Sequence, residues 1–226
     1  MAEDLNAELA YKLTEREPGP ERRWEETIEI FEAFVLAMVA IATAWSGYQA
    51  ARWDGQQAFL YGTSSRLRAE AGVAATEGGQ QRLLDVSTFN TWIIAKEQGD
   101  EKLAHLYVRR FSPEFKTAFV AWLATKPFTD PNAPPGPSFM PQYHNALLAR
   151  SDELNAQASE AFSQGTDDRE VAEKYVRLTV LFATVLFLIA VSQRFKVRGV
   201  RLAVLCVATF LMLTGFFGLL RYPKMF

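Results

Sequence analysis

Apolar positions in this chain follow two different patterns. Ile28 to Ala50, Tyr175 to Gln193 and Val200 to Leu220 are apolar nearly all round, with polar interruptions confined to their ends and a few small hydroxyl residues. Each run supplies the roughly 20 residues, at about 1.5 Å per residue, that a helix needs to cross a bilayer core. Between the first and second runs the apolar residues instead recur at helical spacing among polar ones. Leu83, Val86, Asn90, Ile93 and Glu97 follow one another on one helical face, and Leu84, Trp92 and Ile94 widen its apolar part. A second stripe runs Leu103, Leu106, Tyr107, Phe111, then Phe115, Ala118, Phe119, Trp122 and Leu123. Ser112 before Pro113 fits a helix cap followed by proline in the first turn, so two helices are expected to meet there. A third, less apolar stripe, Tyr143, Leu147, Leu154, Ala158, Ala161 and Phe162, leads toward the second apolar run.

Breakers complete the outline. Trp53 to Ala75 continues the first span until Gly78-Gly79, and Gly165-Thr166-Asp167-Asp168 either interrupts the third stripe or caps a new start. Six prolines between 126 and 141 mark a stiff, non-helical connection, whose Phe128, Phe139 and Met140 read as a loop packing its own aromatics. No sustained alternation of apolar and polar residues suggests a strand. The fold class expected is an all-α membrane protein with three transmembrane helices and an extracytoplasmic helical bundle between the first and second.

The 226 residues have a net charge of -2, 22% charged residues and a mean hydropathy of -0.04, averages that conceal the segregation of apolar runs from polar ones. Residues 53 to 170 hold 15 acidic and 11 basic side chains, which is not the phosphate-neutralising stripe of a nucleic-acid binder. Nucleic acid is therefore excluded as an expected partner, and the lipid bilayer takes its place. The single cysteine, Cys206, lies in the third run and allows no intramolecular disulfide.

The short link between the second and third runs carries Arg194, Lys196 and Arg198, with Arg201 just beyond and no acid among them. Positive charge in short loops faces the cytoplasm. The expected layout is a cytoplasmic tail at 1–27, spans at 28–50, 173–193 and 200–220, an extracytoplasmic domain at 51–172 with its proline-rich loop at 126–141, a cytoplasmic loop at 194–199 and an outer tail at 221–226. The predicted location is the bacterial cytoplasmic membrane. Ala42-Thr43-Ala44 looks like a signal-cleavage site, but the preceding 27 residues carry eight acids against four bases. Signal peptides have short, positive leaders, so the first run reads as an uncleaved span, with cleavage the minor alternative. Trp24 and Trp45, 21 positions apart, bracket about 31 Å of helix, close to the hydrocarbon thickness.

Small residues repeat every four positions along the outer half of the first span: Ala42, Ser46, Ala50, and beside them Gly47, Ala51, Gly55. Such stripes let another backbone approach closely, first of all the other spans of the same chain, otherwise a second copy. Around them the text reads Ala44-Trp45-Ser46-Gly47-Tyr48-Gln49-Ala50-Ala51-Arg52-Trp53-Asp54-Gly55-Gln56-Gln57. In this segment and in its layout the chain resembles three-span bacterial membrane proteins catalogued as domains of unknown function. The resemblance implies one early span running into polar helices and a closing two-span hairpin, and brings no activity or catalytic residues with it.

Glu29 and Glu32 lie at the cytoplasmic end of the first span, at the depth of Arg194, Lys196, Arg198 and Arg201. Ionisable groups near hydrocarbon are costly unless paired, so these acids and bases are expected to pair. A proton path from Glu32 is the weaker reading, because no acid or histidine continues through the spans. Catalytic signatures are missing. Glu97, Glu101 and His105 share a face, but neither Glu-x-x-His pairs nor His-Glu-x-x-His occurs, and Glu101 with His105 reads as a surface pair. No phosphate loop or nucleophile elbow is present. The sequence therefore predicts no enzyme, no cofactor and no metal. It points to an accessory or structural subunit that assembles with itself or with a membrane protein partner through its helical bundle. Two alternatives stand beside it. A sensor would need a ligand pocket, for which Trp92, Tyr107, Phe111, Phe119 and Trp122 are the candidates if they are not simply core. A channel or transporter subunit would need a polar pore lining.

Overall fold

The computed structural model describes residues 20–195 and 197–225, and side chains for Trp24 and from Glu26 onward within them. Among the described residues five α-helices follow one another: α1 Pro20–Glu97, α2 Glu101–Arg110, α3 Pro113–Ala124, α4 Ala146–Ser192 and α5 Arg198–Arg221, with a short 3₁₀ turn at Pro137–Phe139. No strand occurs among the described residues. α1, α4 and α5 are each long and apolar enough to cross a membrane.

Two expected interruptions are absent. α1 passes through Gly78-Gly79, and α4 passes through Gly165 to Asp168, without a break. Glycine serves close approach at both places. A Cβ on Gly78 would lie 3.0 Å from Leu148, and one on Gly165 would lie 2.8 Å from the ring of Tyr61. These glycines therefore mark contacts between helices where the sequence suggests ends of helices. α1 stops only at Gly99, whose φ of 75° is the left-handed geometry that glycine adopts freely. There the Asp100 amide donates to the Ala95 carbonyl and the Gly99 amide to that of Lys96, the paired bonds of a Schellman cap.

The chain divides into two compact units, residues 1–56 with 167–226, and residues 57–166. α1 and α4 contribute a segment to each. In the first unit, Val35, Val39, Ala42 and Ala50 of α1 join Tyr175, Leu178, Phe182, Val185 and Ile189 of α4 and Ala208 of α5 in one buried cluster. The outward faces stay apolar, with Phe187, Phe210 and Phe217 each 66% exposed, as lipid-facing positions require.

In the second unit, α1 and α4 run antiparallel. The Ser64 hydroxyl donates to the Ala158 carbonyl, Tyr61 stacks on Phe162, and the Asn145 amide donates to the Gly78 carbonyl. α2 and α3 pack on α1 around Phe89, Trp92 and Ala95. The predicted break is present: the Ser112 hydroxyl accepts from the Phe115 amide and Pro113 opens α3. The proline-rich connection is tied down where the Trp122 indole donates to the Pro134 carbonyl at 2.7 Å, and Gly136 and Pro137 are buried. The expected surface pair of Glu101 with His105 is replaced, because Glu101 takes the Lys96 ammonium at 2.6 Å.

Candidate functional site

The polar groups of the 1–56/167–226 unit gather at its two ends. At one end Glu32, 1% exposed, receives Arg201 in a two-pronged pair, Nε to Oε1 at 2.9 Å and Nη2 to Oε2 at 2.8 Å. The planar guanidinium matches a carboxylate edge on, which makes this the strongest form of the interaction. Ser192 of α4 closes the group: its hydroxyl lies 3.3 Å from Glu32 Oε1 and 2.7 Å from the Ile189 carbonyl. One cluster thus takes a side chain from each of the three apolar helices.

At the other end Gln49, fully buried, holds the chain beyond α5 with both halves of its amide. Its Nε2 donates to the Met225 carbonyl, and its Oε1 accepts from the Met225 amide, each at 3.0 Å. Alongside, the Tyr175 hydroxyl donates to the Pro223 carbonyl at 2.9 Å and its ring meets that of Tyr222 edge on. The tail satisfies backbone groups through side chains of α1 and α4, which a helix end near lipid needs.

The separation of the two clusters is informative. Glu32 to Gln49 on α1 is 17 positions, and Tyr175 to Ser192 on α4 is also 17. That is about 25 Å of helix, slightly less than the roughly 30 Å hydrocarbon layer. Polar ties therefore sit at the two edges of the apolar thickness, with an apolar seam between them.

The small-residue stripe divides in two. Ala42, Ser46 and Ala50 are buried against the neighbouring helices, whereas Ala51 and Gly55 are exposed and Gly47 half-buried. A Cβ on Gly47 or Gly55 would meet nothing within 4 Å. The Ser46 hydroxyl is buried without a hydrogen-bond partner among the described residues. On α5, Gly215 is the close-approach position, since a Cβ there would fall 2.6 Å from the Phe182 ring.

Of the acids and bases expected to pair, Glu32 and Arg201 form the buried contact. Glu29 and Arg194 are exposed and make no ion pair among the described residues. Arg198 lines a cavity with Glu29 and Arg201, and Lys196 lies outside the described residues.

In the 57–166 unit, Trp92, Phe111, Phe119 and Trp122 are at most 5% exposed, and Tyr107 packs on them partly buried. Their rings fill one another's space: Trp92 meets Phe119 edge on at 4.8 Å, and Phe89 meets Trp122 at 5.1 Å. Beneath them is a buried carboxylate that sequence patterning misses. Asp85, 1% exposed, accepts from the Ser112 amide at 3.0 Å, the Ser112 hydroxyl at 2.8 Å and the Gln81 amide at 3.4 Å. The residue that caps α3 is thus itself held by a charge on α1. The adjoining recess, about 50 Å³, is bordered by Asp85, Ser112, Tyr143 and Asn145. Burial pushes the Tyr143 phenol above its usual range, and the charge of Asp85 adds to the rise.

Among the described residues, no three histidine, cysteine or acidic side chains come together as metal ligands would. Fold and packing together define a helical protein with three candidate membrane-spanning helices tied at both ends. Comparison of the chain with protein-family models, curated proteins and solved structures finds no match.

Proposed function

We propose that this chain is a non-enzymatic integral membrane protein, an accessory or structural subunit whose helical unit at 57–166 lies on the extracytoplasmic side of a bacterial cytoplasmic membrane and binds a second copy or a membrane protein partner. The amino terminus and the basic loop at 194–199 then face the cytoplasm. The observation that carries the assembly is the set of large apolar side chains on the 57–166 unit that its own packing leaves exposed. Asp85, Phe89 and Trp92 occupy the inner side of α1, while Leu83 and Ile94, 70% and 55% exposed, project from the opposite side; Val120 of α3 and Phe139 are 66% and 67% exposed. Large side chains exposed on the outer side of an otherwise packed unit are what a partner would cover.

The ring cluster favours this reading over a sensor. Its aromatics fill one another's space, and the neighbouring recess of about 50 Å³ is far below the several hundred Å³ of a typical ligand pocket. The spans disfavour a pore, because their polar ties sit at the edges and the seam between them is apolar.

The test is the mass of the intact complex after mild-detergent extraction, for the native chain and for Leu83→Glu/Ile94→Glu. A defined oligomer or a stoichiometric partner is expected, lost at least tenfold in the variant while helix content is unchanged. A native chain that extracts as a lone monomer overturns the proposal.

A further inference from the structure

The two helices that run antiparallel in the 57–166 unit carry one pattern twice. Leu-x-x-x-Ser-x-x-Leu-x-Ala-x-Ala-x-x-Ala-x-x-x-Gly begins at Leu60 on α1 and again at Leu147 on α4, so seven of 19 positions are identical at an offset of 87. The match falls on the contact between the helices. In both copies the serine, the last two alanines and the glycine are buried. Ser64, Ala71 and Gly78 recur every seven residues, as do Ser151, Ala158 and Gly165, the spacing that keeps a seam facing one partner along a wound helix pair. Outside the seam the copies part: Arg66 corresponds to Glu153 and Val73 to Glu160, all four exposed.

The packing repeats with the pattern. A Cβ on Gly78 would lie 3.0 Å from Leu148, and one on Gly165 would lie 2.8 Å from Tyr61. Gly78 and Gly165 are 87 positions apart, and so are Tyr61 and Leu148. Each helix therefore sets the residue after the first leucine of its pattern against the glycine that closes the other's. Equivalent residues that trade places across a contact are the mark of a two-fold, isologous interface. Small side chains let helices approach, but smallness alone does not impose one offset on both sequence and contacts. We infer that residues 60–78 of α1 form a self-complementary surface whose fitting partner is an antiparallel copy of itself, and that α4 supplies this copy within the chain. A symmetric helix dimer is thereby enclosed in one polypeptide, which holds the pair at high effective concentration. The inference concerns the interior of the 57–166 unit and does not depend on the assembly proposed above.

The test is a full chain in which residues 147–165 are replaced by the sequence of 60–78, so that the helix pairs with a literal copy of itself. A control carries the sequence of 59–77 at the same place, which turns the seam about 100° round the helix. Circular dichroism in detergent should show native helix content for the repeated chain. Its melting should fall by no more than about 10 °C, the cost of the glycines brought to the places of Ala149 and Ser159. The control should fall at least twice as far. Equal falls in the two chains would overturn the inference. Leu148→Tyr is measured beside them and leaves the rest of α4 untouched. The Gly78 hollow should accept that ring as the Gly165 hollow accepts Tyr61, with melting within about 5 °C of the native chain. A fall of about 15 °C or more in Leu148→Tyr would mean that the two hollows are not equivalent, and would overturn the inference independently.

Discussion

The two compact units are held together by opposite means. In the 1–56/167–226 unit the seam is mainly aliphatic and small, with Phe182 and Tyr175 its fully buried rings, and the polar ties lie at its edges. In the 57–166 unit the centre is a cluster of aromatic rings, and its polar tie, Asp85 with Ser112, is buried beside them. Under the proposed membrane layout, solvent accounts for the contrast. Lipid tails are as apolar as leucine, so apolar burial drives nothing between spans, and close packing with edge polar bonds must suffice. Where water is the solvent, burying a ring contributes a large favourable term, and the unit spends its aromatics inside. The same logic changes the meaning of exposure. Phe210 and Phe217 open to lipid are ordinary, whereas Leu83 and Ile94 are the exposed side chains that the proposed assembly would cover.

If the edge ties matter as argued, breaking the Glu32–Arg201 pair should have the largest effect. Glu32→Ala strips the guanidinium, whose side chain is 19% exposed, of its two-pronged partner, and should lower stability by about 3 kcal/mol. The double replacement Glu32→Met/Arg201→Met removes both charges at similar volume and should recover most of the loss. Thermal unfolding in detergent measures both. A Glu32→Ala protein as stable as the native chain would demote the pair to a surface ornament.

The corresponding tie in the other unit should be weaker but still sharp. Ser112→Ala removes a hydrogen bond to a buried carboxylate and the cap of α3 together, for about 2–3 kcal/mol. Ser112→Asp would preserve a capping group but set a second carboxylate against Asp85, so it should not rescue. Rescue by aspartate, read by the same unfolding measurement, would assign the residue to capping alone.

How much of this was legible in the sequence follows the same division. Long apolar runs and the Ser112-Pro113 break announce themselves, because length and cap chemistry are local. What stays hidden is rotation and depth. Two acids and four bases at one level invite pairing, yet only the helix rotation makes Glu32 and Arg201, and not Glu29 and Arg194, the buried couple. Gly78 and Gly165 read as breakers because glycine usually ends helices, whereas here each makes room for Leu148 or Tyr61. Asp85 and Gln49 sit inside apolar stripes as single polar residues, and no periodicity distinguishes a buried tie from a surface side chain.

Glycines on the spans refine the comparison at a lower energy. Gly215→Ala would drive a methyl into the Phe182 ring, an overpacking worth about 1–3 kcal/mol. Gly47→Ala meets open space and should be neutral or stabilising by up to about 1 kcal/mol in the isolated chain. Unfolding of the two variants side by side separates the packed helix face from the open one. Equal losses would mean that the Gly47 face is covered too, by a second copy or a partner.

The smallest effect belongs to the tail. Gln49→Leu keeps the volume and removes two neutral hydrogen bonds to Met225, each contributing about 0.5–1.5 kcal/mol. Because Tyr175 still holds Pro223, global unfolding should shift little, and the change should be local. Carboxypeptidase digestion is the suitable probe, since it reads the fraction of time the last residues are released. A tie of about 1.4 kcal/mol keeps the tail bound ten times as often as without it, so digestion should quicken by about that factor in Gln49→Leu and more in Gln49→Leu/Tyr175→Phe. Unchanged digestion would mean that Tyr175 alone fixes the tail. Tenfold acceleration accompanied by an equal loss in global stability would mean that the Gln49 tie holds the three apolar helices together, as Glu32 and Arg201 do at the opposite edge.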